Sequence, residues 1–298
     1  MRYRVFASSE RPVGERLRRL LALADFPGEA VAFGAIDLAC TDDPATAAEL
    51  RRDFVGKLPV WLDLDAAPRA GLRPAPTKGI ARADLVTVST RGLLDDVRRI
   101  NPRVELLPDP VEPPATATED DPPLIGPAVG YVGPTDESWD ADVPVAIAEQ
   151  ERRLQVHLGA SAAKIDALAA AERRLPNLHF LPDDRAVWRR RFLVGIFPYR
   201  IDDQTRCWLP APLLETWAAG IPAVCAPLPE VARLGPFALT AASPAEWAHH
   251  VQRLVAEPET AAQIAREATA FIAREHSPAT VLARLRECLY ALSGQSSK

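Results

Sequence analysis

Hydrophobic and polar positions along the chain follow two rhythms. Short runs dense in aliphatic and β-branched residues predict strands at Tyr3–Ala7, Pro59–Asp63 (PVWLD), Asp84–Ser89 (DLVTVS) and Val104–Leu107. Between them, apolar residues recur every three or four positions and predict helices over Glu15–Ala24, Ala45–Phe54 and Leu93–Ile100. Ala30–Ile36 is a further apolar run. Strands that alternate with helices pack as a parallel, doubly wound sheet, because each crossover helix covers a face.

The rhythm breaks at Pro108-Asp109-Pro110-Val111-Glu112-Pro113-Pro114 and at the polar stretch that runs on to Pro122-Pro123. Proline at this density stops both element types and reads as a linker. The alternation then restarts. Strands are predicted at Ala128–Val132, Leu154–Leu158, Leu178–Leu181, Val194–Phe197 and Ala223–Ala226. Helices are predicted at Val143–Gln150, Ala163–Arg174, Leu213–Ala219, Pro244–Glu257, Thr260–Glu275 and Pro278–Leu292. Ser243-Pro244-Ala245-Glu246 has the form of a capping box with proline in the first turn. The chain thus reads as α/β with two Rossmann-like domains: a reduced one over 1–111, a proline-rich linker over 112–124, and a larger one over 125–298.

Composition narrows the function. A chain of 298 residues with 48% hydrophobic and 25% charged content is long enough for about two globular domains. A net charge of −5 argues against nucleic acid as a partner. Of 35 basic residues only Lys57, Lys78, Lys164 and Lys298 are lysines, so arginine is in excess. No uncharged apolar stretch reaches the length of a transmembrane helix, which leaves only peripheral contact with a membrane. The N-terminal segment lacks the apolar core of a signal peptide. Cys40, Cys207, Cys225 and Cys288 are scattered, with neither metal-ligand nor disulfide spacing. The expectation is a cytoplasmic protein with no metal site and no bound cofactor.

Several chemistries are missing from the motifs. The turn after the first strand, Ser8-Ser9-Glu10-Arg11-Pro12-Val13-Gly14, lacks the glycines that let backbone approach a dinucleotide pyrophosphate. There is no P-loop, no nucleophile elbow and no HExxH. All five histidines fall after residue 150. Asp63 and Asp65 end a predicted strand at the edge where ligands of open α/β sheets collect. They read either as acceptor-side or general-base carboxylates or as turn and capping residues. The richest segment is Gly195–Glu230. There a strand ends in Pro198-Tyr199-Arg200, a polar loop carries Arg206, and a helix starts near Pro210 and carries Glu215. A helix N-terminus with arginines in the preceding loop suits a diphosphate, and a carboxylate suits a pair of ribose hydroxyls. Tyr131, Trp139 and Trp208 flank these turns, as stacking platforms for a base or sugar or as packing residues.

Pro212-Leu213-Leu214-Glu215-Thr216-Trp217-Ala218-Ala219-Gly220-Ile221-Pro222-Ala223-Val224 resembles the nucleotide-binding pattern P-L-x-x-E-x-x-A-x-G-x-P-V-V of the retaining, glycogen-synthase-like glycosyltransferases of the GT-B fold. Ala83–Ser89, Leu106–Val111, Val129–Gly133, Val156–Gly159 and Pro176–Leu181 resemble other segments of that family in the same order. The resemblance implies two Rossmann-like domains facing across a cleft. It implies retaining, metal-independent transfer of a sugar from a nucleoside-diphosphate sugar, a UDP-sugar by preference, to a glycan or small-molecule acceptor. It assigns donor contacts to Gly133, Arg200, Arg206, Leu213, Leu214 and Glu215.

The chain also departs from that pattern. Cys207 stands where the family usually has a second glutamate, and Pro212 stands where polysaccharide-type members often have lysine. Pro134-Thr135-Asp136-Glu137 follows Gly133 in place of basic residues. These departures keep open an alternative: a non-catalytic relative that binds a nucleotide sugar or a partner enzyme.

Overall fold

The computed structural model describes residues 3–5, 15–23, 38–53, 59–64, 77–113, 115, 124, 126–203 and 205–295. The chain forms two compact units, Met1–Pro110 with Glu275–Lys298, and Val111–Arg274.

The first unit carries five parallel strands: β1 (Tyr3–Val5), β2 (Leu38–Thr41), β3 (Val60–Leu64), β4 (Leu85–Val88) and β5 (Val104–Leu106). They lie side by side in chain order, so the described strands contain no reversal. Between them run α1 (Glu15–Leu23), α2 (Pro44–Asp53), α3 (Thr77–Arg82) and α4 (Arg91–Arg98). Ala30–Ile36 lies outside the described residues. Six residues with an internal glycine make α3 too short to give a helical period, which is why the sequence pattern passes over it.

The largest departure from the sequence reading is at the C-terminus. Residues 275–298 belong to the first unit, not to a domain ending at 298. The last helix, α11 (Pro278–Gln295), carries Val281, Leu285, Leu289 and Leu292 at helical spacing. This stripe packs with Leu17, Leu20 and Leu21 of α1 and covers Trp61 on the central strand. Burial of apolar area drives the docking, at about 25 cal/mol per Å². Periodicity shows that α11 has an apolar face but does not say which core that face belongs to. The 112–124 linker falls largely outside the described residues.

The second unit has six parallel strands: β6 (Ala128–Tyr131), β7 (Gln155–Leu158), β8 (Leu178–Phe180), β9 (Val194–Phe197), β10 (Ala223–Cys225) and β11 (Leu239–Thr240). Their order is β11-β10-β9-β6-β7-β8. The order therefore reverses between β6 and β9, and the crevice beyond the carboxyl ends of the strands at such a reversal is where open α/β sheets bind ligands. Helices α5 (Asp142–Gln150), α6 (Asp166–Glu172), α7 (Ala211–Ala218), α8 (Pro229–Leu234), α9 (Pro244–Ala256) and α10 (Pro258–Glu275) complete the unit. The Ser243–Glu246 capping box forms as expected at the start of α9. Gly220, at φ 77°, ends α7 in the left-handed conformation that glycine adopts without a Cβ penalty. The Ile221 amide then turns back to the Thr216 carbonyl at 3.2 Å. Among the described residues no helix is long and apolar enough to cross a membrane.

Candidate functional site

At the reversal, the turn after β6 and the turn after β9 are tied together. The Tyr131 hydroxyl lies 2.5 Å from the Pro134 carbonyl and 2.9 Å from the Tyr199 hydroxyl. Burial pushes both phenols above their usual pKa range, so both stay neutral. Gly133 sits between this pair and α7: a Cβ there would lie 2.6 Å from Tyr131 Oη and 2.8 Å from Pro212 Cγ. The close approach is what requires glycine, and it sets the β6 turn against the first turn of α7. Ser161 Oγ donates to the Gly133 carbonyl at 3.1 Å and ties in the loop after β7.

Glu215 projects from α7 with its side chain 28% exposed, and its Oε2 is 2.8 Å from Arg189 Nη1. Arg189 comes from a 3-10 turn, Ala186–Arg191, anchored by the buried Trp188, whose indole donates to Asp183 at 2.6 Å. The Arg189 guanidinium is buried. Its Nη2 donates to the Val132 carbonyl at 2.7 Å, and its Nε has no hydrogen-bond partner. Burial lowers the Arg189 pKa, and the Glu215 charge pushes it back up. Arg189 is the site residue that sequence reasoning missed. The signal was Trp188 followed by three arginines, but such a run in an arginine-rich chain reads as a solvated face.

Leu213 and Leu214 are fully buried in the core. Their amides donate to the Pro210 carbonyl at 3.0 and 3.3 Å. Pro210 and Pro212 have no N–H, so Ala211 is the one first-turn amide not engaged within α7. The helix N-terminus is therefore a poorer anion cradle than the sequence suggests. Arg200 is exposed and lies 3.8 Å from Asp140. It lines a groove of about 430 Å³ with Val143, Ile201, Pro227 and Trp247, a groove that Glu215 does not line. Arg206 is exposed on the loop before α7. Trp139 is a core residue, 3% exposed and packed on Tyr131, whereas Trp208 meets the Tyr199 ring edge-on at 4.7 Å. Among the described residues no group of three or more His, Cys, Asp or Glu side chains is gathered to hold a metal ion.

In the first unit the structure corrects the reading of Asp63. Its side chain is 1% exposed and accepts from Arg16 Nε at 3.0 Å, Arg16 Nη2 at 3.2 Å and the Thr87 hydroxyl. A carboxylate fully engaged beneath the surface is a structural group, not an accessible base. Asp65 lies outside the described residues.

Two parallel Rossmann-like sheets of this kind are the fold of the GT-B glycosyltransferases. The chain is similar in structure to Anabaena HepE in complex with UDP-glucose (TM-score 0.74, 13% identity, 98% of this chain and 100% of that one). It is also similar to sucrose-phosphate synthase from Thermosynechococcus elongatus (TM-score 0.70, 16% identity, 87% of this chain and 74% of that one). A third similar structure is a variant of S. aureus TarM in complex with fondaparinux, α-GlcNAc-glycerol and UDP (TM-score 0.63, 11% identity, 84% of this chain and 55% of that one). Residues 197–287 match the family model described as "Glycosyl transferase-like". No curated protein matches in sequence.

Proposed function

We propose that this protein is a glycosyltransferase that moves a sugar from a nucleoside-diphosphate sugar to a glycan or small-molecule acceptor. The observation that carries the reading is the coincidence of the family match with the site. Residues 197–287 begin at the end of β9, contain α7 with Glu215, and so start at the strand-order reversal. A UDP-sugar is the proposed donor, because HepE is described with UDP-glucose and TarM with UDP. Glycan or glycoside acceptors are in keeping with the fondaparinux and α-GlcNAc-glycerol described for TarM.

In this reading Glu215 accepts hydrogen bonds from the ribose hydroxyls, and the Gly133 turn gives backbone access to the diphosphate. Ala211 N–H, Arg200 and Arg206 are the proposed donors to its oxygens; Leu213 and Leu214 contribute by fixing α7 rather than by direct contact. The bond between the anomeric carbon and the β-phosphate oxygen breaks, and the acceptor oxygen bonds to that carbon. Its proton leaves with the diphosphate. Retention of configuration and independence from metal belong to the proposal and follow from the family resemblance. Asp63 takes no part in the chemistry.

Heating the 298-residue protein with UDP, GDP and ADP tests donor binding. At a hundredfold excess over Kd, a ligand that binds only the folded state adds about 2.7 kcal/mol. That corresponds to roughly 5–10 °C for a unit of this size. UDP is expected to give the largest rise in Tm. No rise with any nucleotide would overturn the proposal. Donor binding without hydrolysis or transfer to any acceptor in a panel of glycans would instead favour a non-catalytic nucleotide-sugar binder.

A further inference from the structure

We infer that Arg189 is a positioning residue that presets the Glu215 carboxylate for the nucleotide's ribose, an inference that rests on the donor-binding reading above. Three segments distant in sequence meet at this guanidinium: its own 3-10 turn, the end of β6 through the Val132 carbonyl, and α7 through Glu215. A buried guanidinium is costly unless it is paired, so its place here is not incidental packing.

The geometry leaves Glu215 with a defined task. Nη2 is engaged by Val132, so Arg189 meets Glu215 through Nη1 and one carboxylate oxygen, Oε2. The other oxygen, Oε1, has no protein partner among the described residues, and the side chain is partly exposed. An unrestrained glutamate on a helix samples several rotamers and loses that freedom when it binds. Held at Oε2, this one has lost it in advance. As a carboxylate it accepts hydrogen bonds and donates none. An ionised, single-rotamer acceptor suits a vicinal diol, whose two hydroxyls both donate. Arg189 thereby supplies discrimination for ribose hydroxyls without touching the nucleotide.

The test is the ratio of affinities for UDP and 2′,3′-dideoxy-UDP, measured by titration calorimetry on the full chain. Hydrogen bonds to a charged acceptor make the wild-type ratio roughly tenfold or more in favour of UDP. Arg189→Met, which keeps side-chain bulk and removes the charge, is expected to bring the ratio below about threefold. Arg189→Lys, which keeps the charge but cannot span both partners, is expected to give an intermediate ratio. A purely structural role would lower Tm or weaken both ligands equally and leave the ratio unchanged. A wild-type ratio in Arg189→Met overturns the inference. Should that variant not fold, a wild-type ratio in Arg189→Lys overturns it. Glu215→Ala separates the two claims: a ratio lost there but kept in Arg189→Met removes Arg189 alone. A wild type that binds UDP without discrimination removes both roles, and a wild type that binds no nucleotide removes the donor-binding reading itself.

Discussion

Replacing Asp63 by alanine is expected to destabilise the first unit by about 3 kcal/mol or more, the scale for removing one partner of a buried ion pair. Asp63 sits at the centre of a polar network inside an apolar core. Arg16 donates to it twice, also contacts Asp109, and reaches the Leu107 carbonyl at 2.6 Å. Thr87 donates to Asp63 and accepts from the Trp61 indole at 2.8 Å. Burial raises the Asp63 pKa against the opposing pull of Arg16 and Thr87. Without Asp63, the guanidinium loses a buried anionic partner, and the Thr87 hydroxyl loses its acceptor. With total stabilities of about 5–15 kcal/mol for a domain, the loss is a large fraction. Guanidinium chloride unfolding is the measurement, with a lowered midpoint at unchanged m-value as the expected result. If Asp63 were instead a general base, Asp63→Asn would abolish turnover and move the midpoint hardly at all. That outcome would restore the reading that the sequence alone permits.

Asp63 also shows where sequence pattern stops. The strand containing it was legible because Val60, Trp61 and Leu62 form an apolar run, and the edge position of Asp63 followed from that. Its partner was not legible, because Arg16 lies 47 residues away on a helix whose arginines otherwise point to solvent. The parallel strands of the second unit were likewise readable, except for the two-residue β11, which is too short to show alternation. The order of those strands was not readable, since spatial neighbours such as β6 and β9 are separated by two intervening strands. Glu215 stood out within a linear pattern around a helix start. Arg189 did not, because its role depends on meeting α7 and the end of β6 in space. α11 was recognisable as a helix by its leucine spacing, but its home in the first unit is a property of shape. The amide accounting at α7 was open to a sequence reader in principle. Pro210 and Pro212 remove two donors wherever they occur, and the expectation of an anion-binding helix end weighed the dipole without subtracting them.

Trp217→Ala is expected to cost the second unit about 3–5 kcal/mol, the range for deleting a large aromatic from a core. Trp217 is fully buried on α7, edge-on to Phe237 at 6.1 Å and to Phe271 at 6.3 Å. Its carbonyl accepts from Thr269 Oγ1 at 2.8 Å, which fastens α7 to α10. Residues two apart on a helix point about 200° from each other, so Trp217 anchors the side of α7 opposite Glu215. Losing the anchor should therefore weaken nucleotide affinity as well as stability. Trp217→Phe is the informative comparison. It leaves a smaller void, and it removes an indole N–H that is buried without a hydrogen-bond partner. An unsatisfied buried donor costs about 1–3 kcal/mol, which offsets much of the lost packing. Trp217→Phe is thus expected to stay within about 1.5 kcal/mol of the wild type, the range for well-tolerated core replacements. It should also keep the wild-type affinity for UDP. Denaturant midpoints and UDP titrations on the three proteins decide the matter. Equal losses in the alanine and phenylalanine variants would show that the indole N–H is satisfied in solution, and that the anchoring of α7 depends on it.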